Sequence, residues 1–105
     1  METVFQALAD PTRRSILERL RHEGPQSLKQ LAEPLPISRQ AVTKHLDGLT
    51  ACGLIDVQRR GRERLHSLQP EPLREIDSWL RPYAAFWDDR LARLRRHLDQ
   101  PREEP

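Results

Sequence analysis

Two prolines and two serines constrain this chain more than any other feature. Pro34 and Pro36 cannot sit inside a helix, because proline has no amide hydrogen and its ring clashes with the preceding turn. They divide SLKQLAEPLPISRQAVTKHLDGLTACGL, residues 27–54, into two short helical segments joined by a tight turn. Each segment opens on a serine placed to cap it. Ser27 forms a capping box with Gln30, and Ser38 caps the second segment. Leu28, Leu31 and Ala32 mark the inner face of the first. Ala41, Val42, Leu46 and Leu49 mark that of the second, at helical spacing. Gly53 then ends it, where a positive φ is commonly needed. The opposite side of the second segment shows Arg39, Gln40, Thr43 and Lys44.

A charged hairpin follows. Leu54, Ile55 and Val57 begin a strand, Gly61 marks a turn, and Arg64 to Leu68 returns. Its tip, Arg59-Arg60-Gly61-Arg62, carries three cations around one glycine. Helix, turn, helix and basic hairpin together predict a winged helix-turn-helix, mainly α with a small β-hairpin, a layout that places one helix in the major groove of DNA. Upstream, Val4, Phe5 and Leu8 form a short apolar stripe. Asp10-Pro11 signals a helix start, and the helix carries Ile16, Leu17 and Leu20 inward before Gly24-Pro25. Downstream, Pro70 and Pro72 introduce a last helix. Its apolar residues Leu73, Ile76, Leu80, Tyr83, Trp87, Leu91, Leu94 and Leu98 nearly form a heptad seam, widened by Trp79 and Phe86. Pro82 predicts a kink or break around Leu80 to Pro82.

The expected organisation is one domain over 1–99. It comprises the helix-turn-helix at 27–52, the wing at 54–68, a dimerisation helix or broken helix pair at 72–99, and a frayed polar tail at 100–105. Hydrophobic residues make up 36% and charged residues 32%, so a monomer's core would be thin and a dimer sharing its core resolves the tension. The first and last helices are the expected dimer surface, through Val4, Phe5, Leu8, Leu80, Tyr83, Phe86, Trp87, Leu91, Leu94 and Leu98. Positive charge is concentrated: residues 38–66 hold six cations and three anions, whereas the stretch from Ser67 onward holds seven arginines and eight acids. A single cysteine, Cys52, excludes an internal disulfide and fits a reducing cytoplasm. Neither a signal peptide nor a membrane-spanning run is evident, so cytoplasmic location without membrane contact is expected.

Expected contacts to double-stranded DNA follow from side-chain chemistry. Ser38, Arg39, Gln40 and Thr43 stand at the start of the second segment, where docked helices meet base edges, and arginine and glutamine pair two-pronged with guanine and adenine. Lys44 suits a phosphate, and His45 a phosphate or the neighbouring helix. Arg59, Arg60, Arg62 and Arg64 suit phosphate or a narrow minor groove. His66 shares parity with Leu68 and is expected to point toward the core.

FQALADPTRRSILERL and SRQAVTKHLDGLTACGLIDVQRRGRERLHSL resemble the opening signature and the recognition helix plus wing of the ArsR family of bacterial winged helix-turn-helix regulators. The resemblance covers roughly Val4 to Leu68. WLRPYAAFWDDRLARLRRHL resembles a subgroup without metal sites. This implies a homodimeric cytoplasmic repressor that reads an inverted-repeat operator with the Ser38 to Cys52 helix. The family's Cys-x-Cys motif is absent from LKQLAEPL. Asp77 and His97 lack the partners of its other metal site, so no metal and no cofactor are expected. No catalytic grouping appears, and an enzyme is not expected. Two alternatives stay open. One is a winged-helix module that binds protein rather than DNA. The other is a repressor gated by a small molecule or protein effector, with an aromatic pocket among Trp79, Tyr83, Phe86 and Trp87.

Overall fold

The computed structural model describes residues 3–99. The chain runs through α1 (Val4–Ala9), α2 (Pro11–Glu23), β1 (Gln26–Ser27), α3 (Leu28–Ala32), α4 (Arg39–Ala51), β2 (Ile55–Arg60) and β3 (Glu63–Leu68). A 3₁₀ turn at Glu71–Leu73 leads into α5 (Arg74–Asp99). The polar tail expected at 100–105 lies outside the described residues.

The helix starts follow from capping chemistry. Asp10 Oδ2 accepts from the Arg13 amide at 2.9 Å, with Pro11 in the first turn. Ser27 Oγ accepts from the Gln30 amide at 3.2 Å, while Gln30 Oε1 accepts from the Ser27 amide at 2.8 Å. Ser38 Oγ accepts from the Ala41 amide at 3.1 Å. A further capping box, Thr3 with Gln6, opens α1. Gly53, at φ 81, lets the chain leave α4 and turn directly into β2.

The core is entirely aliphatic. Ile16, Leu31, Val42, Leu49 and Leu54 are completely buried, and Val4, Ala7, Leu17, Leu20, Ala32, Leu46 and Ile55 complete the cluster. One guanidinium fixes how α3 lies on α2: Arg19 donates to the Leu31 and Gln30 carbonyls, each at 2.9 Å. Those carbonyls belong to the last turn of α3, which has no intrahelical partner for them.

The sheet holds three strands, in the order β1-β3-β2 and all antiparallel, rather than a bare hairpin. The added strand has a local cause. Ser27 must be extended to cap α3, at φ −79 and ψ 164, and this extended stretch pairs Gln26 with His66 and Ser27 with Leu65. His66 points inward, as parity predicts, and is half-buried. Its Nδ1 lies 3.2 Å from the carbonyl oxygen of buried Gln26, so the neutral ring donates there from Nδ1.

Of the kink or break expected around Leu80 to Pro82, the break does not occur: α5 is one 26-residue helix. Proline removes the bond to the carbonyl four residues back, that of Ser78. Both residues are exposed, so water can take the place of the lost donor. At 1.5 Å per residue α5 is ~39 Å long. Leu73, at the end of the 3₁₀ turn, and Ile76, near the start of α5, pack on the core, and the helix extends beyond it. The Cα radius of gyration is accordingly 19.5 Å, against about 13 Å for a compact chain of 100 residues.

Two outcomes test this account. Leu49→Ala should destabilise the fold by ~2–5 kcal/mol in denaturant titration, because the surrounding helices cannot close over the cavity. A loss under ~1 kcal/mol would mean that α4 is not anchored where it is described. The second concerns pH. Burial lowers the His66 pKa from 6.5, the Gln26 carbonyl opposes this, Arg64 adds to the lowering, and Asp47 opposes it. Below pH 6.5 the unfolded chain therefore binds more protons at this site than the folded one. The stabilising contribution is full above 6.5 and declines as pH falls toward the lower, folded-state pKa. On acidification the wild type should lose more stability than His66→Gln. Equal losses would refute the assignment.

Candidate nucleic-acid interface

The polar face of α4 is built by burying the other face. Val42, Leu46 and Leu49 hold α4 in the core, which leaves Arg39, Gln40, Thr43 and Lys44 exposed on the side away from it. Ser38 sits at the head of this face and caps it. Among the described residues, none of the four exposed side chains has an ion-pair or hydrogen-bond partner. They are therefore free to meet a ligand without first breaking an internal contact.

His45 lies differently. Its ring turns back toward α2, where Nδ1 accepts from Arg13 Nε at 3.1 Å and lies 3.8 Å from Asp10 Oδ2. The residue that caps α2 and the histidine of α4 thus meet at one spot. Arg13 gave no signal in the sequence, because a contact across 32 residues leaves no local pattern.

The wing adds charge in a specific arrangement. Arg59, Arg60, Arg62 and Arg64 are all exposed. Arg60 pairs across the ladder with Glu63, but Arg59 stands directly opposite Arg64. Like charges in that position destabilise a ribbon. The same ladder face carries Ile55 with Leu68, then Val57 with His66, both toward the core, and only then the two arginines. The inward face of the sheet thus becomes a cationic edge as it leaves the core. Gly61, at φ 62, makes the two-residue turn beyond it, with glycine first as such loops require.

The residues of the proposed dimer surface divide. Val4 is buried in the protomer's own core, and Leu8 packs against that core. Leu80 is half-buried. Phe5, Tyr83, Phe86, Trp87, Leu91, Leu94 and Leu98 are exposed, as is Trp79. Phe5 meets Trp79 edge to face with ring centres 6.2 Å apart, and Trp79 lies 5.2 Å from Tyr83. Arg90 covers one face of Phe86 at 4.1 Å. Among the described residues no group of three or more histidine, cysteine or acidic side chains is placed to hold a metal ion.

A helix-turn-helix domain family matches residues 8–58. The chain is 38% identical over 98 residues to the HTH-type transcriptional regulator Rv2034 of Mycobacterium tuberculosis, an alignment covering 93% of this chain and 88% of that protein. It is 34% identical over 80 residues to the transcriptional repressor SdpR of Bacillus subtilis, covering 76% and 88%. Among solved structures, the ArsR-like transcriptional regulator from Rhodococcus sp. RHA1 superposes with a TM-score of 0.67 at 40% identity, over 93% of this chain and 92% of that one. Sequence and fold agree, and the chain belongs to the ArsR family of winged helix-turn-helix transcriptional regulators.

Proposed function

We propose that this protein is a homodimeric transcriptional repressor that reads an inverted-repeat operator with Ser38, Arg39, Gln40 and Thr43 and grips the backbone with Lys44 and the wing arginines. The observation that carries this reading is the exposed, internally unpartnered polar face of α4 beside the like-charged Arg59–Arg64 rung. A polyanion relieves the repulsion on that rung and supplies the acceptors the α4 side chains lack. That SdpR is named a repressor favours repression over activation. A repressor that acts by occupying DNA works in the cytoplasm, and that is the location this reading assigns to the protein. No helix among the described residues is long and apolar enough to cross a membrane.

The dimer reading rests on where the aromatic residues are. The chain has two tryptophans, one tyrosine and two phenylalanines, and all five are exposed along α1 and α5. Aromatic side chains each carry 150–250 Å² of surface to bury, on the usual scale of about that size. A protomer that spends none of them on its own core presents a surface made for a second copy. Two-fold symmetry then sets two α4 helices about one DNA turn apart, ~34–36 Å.

Both parts of the proposal are open to direct measurement on an operator selected from genomic fragments. Arg39→Ala or Gln40→Ala should cost ~1–3 kcal/mol on that operator and relax preference at particular base pairs. Arg62→Ala should weaken operator and unrelated DNA alike and lower the salt slope by about one unit. If no substitution on α4 or the wing changes DNA affinity, the winged-helix module binds protein instead. For assembly, sedimentation should show a dimer at micromolar concentration, shifted toward monomer by Trp87→Ala or Leu91→Ala. A monomeric wild type would sink the two-fold operator with it.

A further inference from the structure

A cleft of about 480 Å³ opens between the start of α3, the flank of α4 and the wing. Its deep side is formed by buried Leu46 with half-buried Val57 and His66. Its exposed margin carries Lys29 of α3 and Arg62 and Arg64 of the wing, together with Asp47 of α4 and Glu63. Among the described residues, the side chains of Lys29, Arg62 and Arg64 have no ion-pair or hydrogen-bond partner. The volume is in the range of small-molecule sites, about 300–1,000 Å³, and the lining has their character: an apolar base with a few convergent polar groups.

The lining also narrows the occupant. A DNA strand is a continuous polyanion with a hydrophilic backbone. It would be repelled by Asp47 and Glu63 and would gain nothing from Leu46 and Val57. A small organic acid suits this lining better, because its single charge can lie against the cations and away from Glu63. Its carboxylate meets the three cations, its apolar body lies on Leu46, Val57 and the His66 ring, and a hydroxyl donates to Asp47. We propose that this cleft is an effector site for a small amphipathic organic acid that also carries a hydrogen-bond donor. Thr43 lines the cleft and stands on the reading face, and Arg62 and Arg64 line it and belong to the wing. Occupancy therefore takes side chains away from DNA and releases the operator. That consequence, unlike the site itself, rests on the DNA-reading role proposed above.

The test uses the full chain and three probes: para-hydroxyphenylacetate, its uncharged amide, and phenylacetate, which lacks the donor. Titration without DNA, followed by amide NMR, should show saturable binding of para-hydroxyphenylacetate with shifts confined to α3, α4 and the hairpin. The amide should bind about tenfold more weakly, as should the acid to Arg64→Ala, each having lost a charged hydrogen bond. Asp47→Asn should erase the preference over phenylacetate. Val57→Trp should fill the cleft and abolish binding with circular dichroism unchanged; if that variant misfolds, the Arg64→Ala loss still decides. With operator present, the acid should reduce DNA affinity. Absence of saturable binding, or shifts centred on Trp79 to Trp87, overturns the site. Binding in the cleft without any effect on DNA affinity overturns its effector role. A protein that binds the acid there but binds no DNA leaves the site standing and refutes the operator reading instead. A protein that binds DNA and no acid, and loses DNA affinity on Lys29→Ala, shows that the backbone itself fills the cleft.

Discussion

Ile16, Leu31 and Leu49 are each fully buried, one from each of α2, α3 and α4, and the molecule depends on their meeting. α3 is five residues long, too short to be stable in isolation, where helices under ~12–15 residues are marginal in water. It exists because Leu31 and Ala32 are buried against its neighbours, with Ser27 capping its start and Arg19 satisfying its end. With α3 in place, Val42, Leu46 and Leu49 fix the rotation of α4, and that rotation alone decides which residues face outward. The exposed row of Arg39, Gln40, Thr43 and Lys44 is thus a consequence of core packing.

Features written in neighbouring residues were legible from the sequence. The caps at Asp10, Ser27 and Ser38, the stop at Gly53, the hairpin turn at Gly61 and the inward parity of His66 each rest on a rule spanning a few positions. Features that depend on distant partners were not. β1 forms because a capping residue happens to lie beside β3, and two residues are too few to show alternation. The Arg13–His45 contact and the Arg19 clamp join helices far apart in the chain. Pro82 misleads for the opposite reason. The local rule is sound, but on the exposed side of a helix water takes over the orphaned Ser78 carbonyl.

The candidate site shows the same division. That α4 and the wing would carry cations was plain from Arg39, Lys44 and the RRGR tip. That two of the wing arginines would stand face to face required the register, which places Arg59 opposite Arg64 and not one position away. A one-residue slip would send Arg59 to the other face of the ribbon and take Val57 out of the core side with it. Burial of Ile55, with half-buried Leu68 packed against the core on the same face, holds the register. The apolar base of the hairpin therefore specifies the position of the charge at its edge.

A thin aliphatic core and an aromatic exterior belong to one physical argument. The twelve core residues include no aromatic side chain, while α5 is anchored near its beginning, by Ile76 on the core and Trp79 against Phe5, and Leu91, Leu94 and Leu98 farther along stay exposed. A single 26-residue helix with Tyr83, Phe86, Trp87, Leu91, Leu94 and Leu98 exposed is stiff enough to carry a two-fold axis to a fixed place relative to α4. Pro82, at the point where α5 leaves the core, falls between its two duties: anchoring through Leu73 and Ile76, and presentation of the aromatic face beyond. In the proposed dimer, a break there would uncouple the partner's position from α4 and leave the spacing of the two α4 helices undefined. In the proposed dimer, continuity of α5 would let a surface at one end of the molecule set the distance between the two α4 helices at the other.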